Sequence, residues 1–282
     1  MNSGPTSTSH SRRRISNLMG KIEVSHLNVT YKQGNTAFKA LNDIDFTIQA
    51  GEFVCIVGHS GCGKSTLLRV LSGLLSPDEG SVLIDGREVE GPGTDRTVVF
   101  QQYSLFPWMS ARKNIIFGLE QVRPDRSKEE RERIADKYLA KVGMSEAADK
   151  YPYQLSGGMR QRVAIARALA MDTEILLLDE PFGALDTRTR TSLQELLSQL
   201  WTSGEKKKTI VFVTHDIDEA ILLADRILFM EPGKIAASMD VPFSRPRHKQ
   251  ELMTGEEFCS LRKKLVDWFY REDGGSDEKI FG

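Results

Sequence analysis

The sequence predicts an α/β fold in which a parallel sheet carries an antiparallel β edge and an inserted α-helical subdomain. Three apolar runs have the composition of buried parallel strands: FVCIVG (53–58), EILLLDEP (174–181) and TIVFVTH (209–215). A helical pattern follows each of them, and this alternation builds a parallel sheet covered by helices. The stretch 102–154 between the first two runs contains no good strand, which predicts the helical insert.

The N-terminal elements supply the antiparallel part. Residues 22–29 and 44–50 alternate apolar and polar side chains, and the first is typical of an edge strand. A glycine loop follows the strand at 53–58 and leads into a helix over 65–75. Residues 81–85 and 97–101 are predicted as further strands.

The helical insert is predicted over about 102–165. Its charged stretch 125–143 favours an amphipathic helix with the charges on the solvated face. Its inward-facing residues are then Ile134, Tyr138, Leu139 and Val142.

The second half of the chain continues the alternation. Helices are predicted over 157–170, about 188–203 and 217–224, and a terminal hairpin over 226–238. Residues 242–282 are too short for a further domain, so we expect a C-terminal helical appendage with an amphipathic helix over 256–269.

Composition predicts a soluble globular protein without an excess of either charge. The 282 residues have a formal net charge of −1, so we expect no nucleic-acid partner. The three cysteines lack metal-ligand spacing and fit reduced thiols in the cytosol. No apolar run is long enough for a bilayer. No hydrophobic core follows the arginines of residues 1–20, which disfavours a secretory signal, and this polar stretch is predicted to be a disordered tail.

A glycine-rich motif lies between the first buried strand and its helix. GHSGCGKS matches GxxxxGK[ST] in the strand–loop–helix context that a phosphate-binding P-loop requires. Its backbone N–H groups would face a β-phosphate, Lys64 would neutralise the β- and γ-phosphates, and the Ser65 hydroxyl would bind Mg²⁺. The alternative is a purely structural turn. The predicted ATP-binding residues are Gly58, His59, Ser60, Gly61, Cys62, Gly63, Lys64, Ser65 and Thr66.

Two acids end the strand at 174–181. Asp179 is placed to hold Mg²⁺, as the acid at this position of a P-loop sheet does, and Glu180 is a candidate general base for the attacking water. The alternative for Glu180 is that it only caps the next helix.

Three single residues are weaker candidates on their own. His215 and Gln101 end strands at the same sheet edge, where His215 would donate to a γ-phosphate and Gln101 would reach Mg²⁺ or the water. The alternative for His215 is a structural histidine. Tyr31 is a candidate to stack on adenine, although most tyrosines only pack.

The stretch LSGGMRQRVAIARALA (155–170) predicts a second anion cradle. Ser156 is expected to cap the helix that follows, and Gly157 and Gly158 leave backbone N–H groups free to face an anion. The stretch contains no lysine of the P-loop kind, and the chain already has a complete phosphate loop. The motifs alone do not indicate which phosphate this cradle would bind.

Taken together, the motifs resemble the nucleotide-binding subunits of ATP-binding cassette (ABC) transporters. The resemblance rests on the order and spacing of Tyr31, GHSGCGKS, Gln101, LSGGMRQR, LLLDEP, GALD and THD, and it covers about residues 21–240. It implies an ATPase domain over 21–241 with a RecA-like P-loop NTPase core. It also implies that Tyr31, Gln101, His215 and Asp186 are the A-loop, Q-loop, switch and D-loop residues.

The resemblance also answers the question of the second cradle. In this family two subunits pack head to tail, so Leu155, Ser156, Gly157 and Gly158 would bind the γ-phosphate of the ATP in the partner's phosphate loop. The physics agrees, because helix N-terminal donors from a second chain complete the coordination of that phosphate. Met159 departs from the glutamine often found in the family, so the resemblance does not extend to a polar contact from this side chain.

Residues 90–119 resemble the branch that imports nitrate, sulfonates, taurine or bicarbonate. This likeness implies an ATP-hydrolysing subunit at the cytoplasmic face of the membrane, with permease subunits as partners and a solute-binding protein acting indirectly. Importers of other small organic solutes are similar.

Two functions outside transport are disfavoured. A soluble ABC ATPase acting on DNA or ribosomes would have two cassettes or a coiled-coil insert, whereas this chain has a single cassette without one. A small-molecule kinase would leave LSGGMRQR without a role. The residues predicted to dock the permease, rather than simply pack, are Leu105, Phe106, Pro107 and Trp108.

Overall fold

The computed structural model describes residues 21–34, 36–101, 104–202, 207–247 and 249–271. The predicted tail 1–20 and the end of the appendage, 272–282, lie outside the described residues. The strands are β1 (Ile22–Gln33), β2 (Thr36–Ile48), β3 (Phe53–Val57), β4 (Glu79–Ile84), β5 (Arg87–Glu88), β6 (Arg96–Val99), β7 (Ile175–Asp179), β8 (Thr209–Thr214), β9 (Arg226–Glu231) and β10 (Lys234–Asp240). The helices are α1 (Lys64–Leu71), α2 (Ala111–Val122), α3 (Lys128–Lys141), α4 (Gly157–Met171), α5 (Thr187–Thr202), α6 (Ile217–Leu223), α7 (Lys249–Met253) and α8 (Glu256–Arg271).

A six-stranded sheet forms the centre of the fold, with the strand order β10-β9-β3-β8-β7-β6. Its strands pair in parallel except for β10, which is antiparallel to β9. Every residue of β3, β7 and β8 is buried, as the uninterrupted apolar runs predict for strands covered on both faces. The predicted α/β fold with a parallel core is confirmed.

The antiparallel part is a separate four-stranded sheet in the order β2-β1-β4-β5. Because β1 pairs with both β2 and β4, the prediction that residues 22–29 form an edge strand is wrong. The alternation in this strand reflects one buried face, which carries Ile22, Val24, Leu27 and Val29. The alternation of buried residues is interrupted between Val24 and Leu27, because the β1–β2 pairing changes register there.

Two apolar cores lie on opposite faces of the six-stranded sheet. Side chains of a strand alternate between faces, so Phe53 and Cys55 of β3 enter the core beneath the helices, whereas Val54 and Ile56 enter the core against the antiparallel sheet. Both layers therefore hold β3 rigidly at the point where the phosphate loop begins.

The insert contains the three helices α2, α3 and α4, which contact one another. Ala135, Leu139 and Val142 are buried, and Ile134 and Tyr138 pack against the core from partly buried positions. This agrees with the predicted amphipathic helix in the charged stretch, which is capped by a Ser127–Glu130 capping box.

Helix α8 of the appendage packs on α6. Phe258, Leu261 and Leu265 point into the core and are buried. Among the described helices, none combines the length and the apolar character that crossing a membrane requires.

Candidate active site

The phosphate loop joins β3 to α1 and is shaped by close backbone contacts. A Cβ on Gly58 would lie 2.1 Å from the Met230 carbonyl oxygen, so only glycine fits there. Gly63 has a φ of 114° and caps α1 without a side chain, which again requires glycine. The loop therefore wraps tightly around the start of α1 at Lys64, as the motif predicts.

Lys64 is a buried cation that is held by backbone carbonyl oxygens. Its side chain is 6% exposed, and Nζ donates to the carbonyl oxygens of Gly58 at 2.8 Å and His59 at 2.7 Å. Among the described residues, no carboxylate lies within ion-pair distance of this ammonium group. A buried charge held by neutral carbonyls keeps its capacity to bind an anion, because a phosphate would supply the missing countercharge.

Asp179 ends β7 beside the first turn of α1. Its carboxylate is buried and accepts a hydrogen bond from the Ser65 hydroxyl. Burial raises the pKa of Asp179, and the Ser65 hydrogen bond opposes that shift. A hydroxyl and a carboxylate are both hard oxygen ligands, so the pair fits Mg²⁺ chemically.

The three residues predicted to be catalytic lie together at the carboxyl end of the sheet. Gln101 Nε2 donates to Glu180 Oε2 at 3.0 Å, and His215 Nδ1 lies 3.2 Å from Glu180 Oε1. Both oxygens of Glu180 are therefore held, one by each neighbour. Glu180 has a φ of 45°, in the left-handed region that non-glycine residues adopt infrequently.

The next helix is capped by a different residue. The Asp186 carboxylate accepts from the backbone N–H of Thr189 at 3.0 Å at the start of α5. This bond lowers the pKa of the exposed Asp186 carboxyl. Because the helix begins at Thr187, the alternative that Glu180 is only a helix cap is not what the structure has.

Gln161 is a site residue that the sequence analysis missed. It lies in α4, is buried, and its Nε2 donates to the Glu180 carbonyl at 3.2 Å while its Oε1 accepts from the Ala184 N–H at 3.2 Å. It thereby ties the LSGG helix to the loop that contains Glu180. The available signal was a glutamine on the apolar face of a predicted helix.

The second cradle has the local geometry that the sequence predicts. Ser156 is the N-cap of α4, and its hydroxyl accepts from the Met159 N–H at 3.3 Å. Ser156 is exposed, Gly157 and Gly158 are half-buried, and Leu155 is buried beneath them. Met159 packs partly against the core.

Tyr31 lies on the antiparallel sheet beside the phosphate loop. Its ring is 39% exposed, and its hydroxyl lies 3.4 Å from Thr66 Oγ1 on α1. An exposed aromatic ring next to this helix is available for stacking, in contrast to a tyrosine that is packed inside. Ser60 and Gly61 of the loop are exposed, whereas Cys62 is buried, and burial raises the pKa of its thiol.

The four residues predicted to dock a permease differ in exposure. Trp108 is 69% exposed and Pro107 is also exposed. Leu105 and Phe106 are half-buried, because Leu105 packs against the core and the Phe106 ring contacts Phe117. Pro107 and Trp108 are therefore the two of these residues whose side chains are open to a partner, and the docking role of all four stays a prediction.

Asn114 organises this loop and was also missed. Its side chain is fully buried in α2, where Oδ1 accepts from the Phe106 N–H at 2.8 Å. Its Nδ2 group donates to the carbonyl oxygens of Phe106, Met109 and Ser110. An asparagine within an apolar helix face was the only sequence signal.

The fold and the site define an ATP-hydrolysing P-loop protein. A family model described as ABC transporter matches residues 41–183. The nitrate import ATP-binding protein NrtD of Synechococcus elongatus is 46% identical over 252 residues, which cover 88% of this chain and 91% of that protein. The bicarbonate transport ATP-binding protein CmpD of the same species is 44% identical over 258 residues, covering 90% and 92%. The chain belongs to the ABC transporter family.

A solved structure supports the same assignment. The ATP-binding cassette MJ0796, described as a dimeric post-hydrolysis state bound to ADP and Pi, matches with a TM-score of 0.74 and 36% identity. The match covers 79% of this chain and all of that one. The predicted family and the predicted P-loop NTPase fold are confirmed.

Proposed function

We propose that this chain is the energy-coupling ATPase subunit of a membrane importer for a small oxyanion such as nitrate, bicarbonate or a sulfonate. ATP hydrolysis is supported by the position of Lys64, Asp179 and Glu180, which lie together at one edge of the sheet. The solute class rests on the nitrate and bicarbonate relatives, which match along about nine-tenths of both chains. An importer of another small organic solute is the second candidate.

The proposed chemistry assigns one task to each residue. Lys64 binds the β- and γ-phosphates, and Glu180 accepts a proton from the attacking water as it approaches the γ-phosphate. Gln101 and His215 hold the Glu180 carboxylate in place, and His215 also donates to the γ-phosphate. When bound by Ser65, Asp179 and Gln101, Mg²⁺ would neutralise phosphate charge.

The proposed active unit contains two ATPase subunits. The N-terminus of α4 at Ser156 is exposed, and the first N–H groups of a helix lack partners within the helix, which suits a γ-phosphate presented by a second chain. ATP then joins the two subunits, and hydrolysis releases them. The dimeric state of the MJ0796 cassette supports this arrangement.

We further propose that permease subunits hold this chain at the cytoplasmic face of the membrane. Within the chain, residues 21–241 form the ATPase domain, about 102–165 its helical subdomain and 242–282 the appendage. Co-purification with the permease subunits, followed by ATPase assays with each candidate solute and its binding protein, tests the whole proposal. Stimulation by nitrate or bicarbonate supports it, whereas stimulation by an uncharged organic solute alone contradicts the oxyanion part.

Tyr31→Ala is expected to raise the KM for ATP about 5–150-fold and to leave kcat within about twofold. The reason is that one base–aromatic stack contributes about 1–3 kcal/mol to binding. Tyr31→Trp should restore the wild-type KM, since it retains a stacking surface. Steady-state ATPase assays give both parameters, and a normal KM in the alanine variant would remove Tyr31 from the adenine site.

Asn114→Ala is expected to uncouple transport from ATP binding. Without the buried amide, the Phe106 N–H loses its acceptor and the Met109 carbonyl loses its Asn114 donor, so the docking loop no longer keeps its shape. Solute-stimulated ATPase activity in the assembled transporter should fall at least about tenfold, while ATP affinity stays at the wild-type value. Equal stimulation in variant and wild type would show that this loop does not dock the permease.

A further inference from the structure

The C-terminal helix α8 ends against the phosphate loop. The His59 ring packs on the Phe269 ring with centroids 4.8 Å apart, and His59 Nε2 lies 2.9 Å from the Phe269 carbonyl oxygen. Because a carbonyl oxygen only accepts, the hydrogen of this bond is on His59 Nε2. One residue of the phosphate loop is thus held by both the ring and the backbone of the last turn of α8.

The core fixes the position of α8. The Phe229 ring of β9 contacts Trp268 at 5.8 Å and Phe269 at 5.2 Å. Phe258 and Leu265 are buried farther back along the helix. The last turn of α8 therefore has a defined position from which it constrains the loop.

The same helix is tied to the element that follows His215. Arg262 Nε donates to Asp218 Oδ1 at 2.6 Å, and Asp218 lies in the first turn of α6 directly after the THD motif. Helix α8 thus contacts the phosphate loop and the helix that follows His215, two elements that are distant in sequence.

His59 transmits the constraint toward the phosphate-binding lysine. Its carbonyl oxygen accepts from Lys64 Nζ at 2.7 Å and from the Cys62 N–H at 3.3 Å. The side chain of His59 is held by α8, and its backbone holds Lys64. Moving the end of α8 would therefore free the backbone that positions the lysine.

We propose that Phe269 is a positioning residue of the phosphate loop, through which the C-terminal helix sets the affinity for ATP. The proposal rests on the proposed function, since it assumes that this loop binds ATP. A loop that is already held in its binding geometry loses less conformational freedom when the nucleotide binds. Among the described side chains, α8 contacts the phosphate loop at His59 and makes no contact with Glu180, so we expect the helix to affect nucleotide binding and not the chemical step.

The test compares Phe269→Ala, Phe269→Tyr and Trp268→Ala in the full-length chain. Phe269→Ala should raise the Kd and KM for ATP about 3–10-fold with kcat within about twofold, the size of one lost ring contact, because the backbone carbonyl that accepts from His59 remains in the variant. Phe269→Tyr should restore both values, because it keeps the ring. Trp268→Ala is the matched comparison, since it removes a ring that packs on Phe229 in the same turn, whereas the ring contact described for His59 is with Phe269, and its Kd should rise clearly less than that of Phe269→Ala.

Three outcomes separate the hypotheses. Normal Kd and KM in Phe269→Ala would overturn the positioning role, and so would equal losses in the Phe269 and Trp268 variants, because they would indicate a general effect on α8. Failure of the wild type to bind ATP would instead overturn the proposed function. The melting temperature of each variant identifies those that fail to fold.

Hydrogen exchange on the wild-type protein gives a test without any substitution. Binding is reciprocal, so a helix that favours ATP binding must itself be stabilised by ATP. With saturating ATP and Mg²⁺, amides near Phe269 should exchange about 3–10-fold more slowly, matching the change in Kd. Unchanged exchange in this turn, alongside protection of the phosphate loop, would contradict the coupling.

Discussion

Glu180→Gln is expected to bind ATP with wild-type affinity and to hydrolyse it about 100–10,000-fold more slowly, the usual contribution of a general base. The amide keeps the size of the side chain and the contact with Gln101 Nε2, but it cannot accept a proton from water. Steady-state phosphate release measures the loss, and calorimetry with ATP measures the retained affinity. Normal turnover would exclude Glu180 as the base.

The same variant tests the two-chain arrangement. With ATP retained in both sites, the subunits should remain together, so sedimentation should detect a dimer with ATP and a monomer without it.

A second substitution, Ser156→Arg, places a large side chain at the cradle and should abolish the dimer without changing the ATP affinity of the monomer. Glu195→Gln on the exposed face of α5 is the control and should behave as wild type in turnover. A Glu180→Gln protein that stays monomeric with ATP at high concentration would contradict shared binding of the nucleotide.

Local motifs made much of the candidate site predictable. The phosphate loop depends on glycines and a lysine within eight consecutive residues, and Asp179 and Glu180 end a strand whose apolar run is plain in the sequence. Parallel strands place their carboxyl ends at one sheet edge, which made Gln101 and His215 candidates for this edge, and the resemblance to ABC subunits completed their assignment. In the structure both side chains contact Glu180, although Gln101 lies beyond the end of β6 at Val99. Ser156 was recognisable as a cap for the same local reason.

Contacts between distant segments were not predictable in this way. Gln161 and Asn114 appear in the sequence only as polar residues within helices, and their role depends on which backbone groups lie opposite them in the fold. The contact between His59 and Phe269 joins residues far apart in the chain. The alternation of apolar and polar residues also led to the wrong prediction of β1 as an edge strand. Alternation shows that one face of a strand is buried, but it does not show how many strands pair with it.

Lys64→Ala is expected to lower ATP affinity about 10–150-fold and to abolish solute transport in the assembled importer. Hydrogen bonds to charged groups contribute about 1.5–3 kcal/mol, and this ammonium is the buried cation next to the predicted phosphate position. Calorimetry with ATP and Mg²⁺ measures the loss.

The Lys64→Ala experiment must distinguish the loss of the positive charge from a change in the conformation of the phosphate loop. Alanine also leaves the carbonyl oxygens of Gly58 and His59 without their Lys64 donor, so the melting temperature of the variant is measured alongside. Lys234→Ala, at an exposed position on β10, removes a charge without touching the loop and should bind ATP normally. If Lys64→Ala keeps its fold and still binds ATP with wild-type affinity, the nucleotide is not held by this loop. The assignments of Ser65 and Asp179 would then fail with it, because they depend on the same phosphate position.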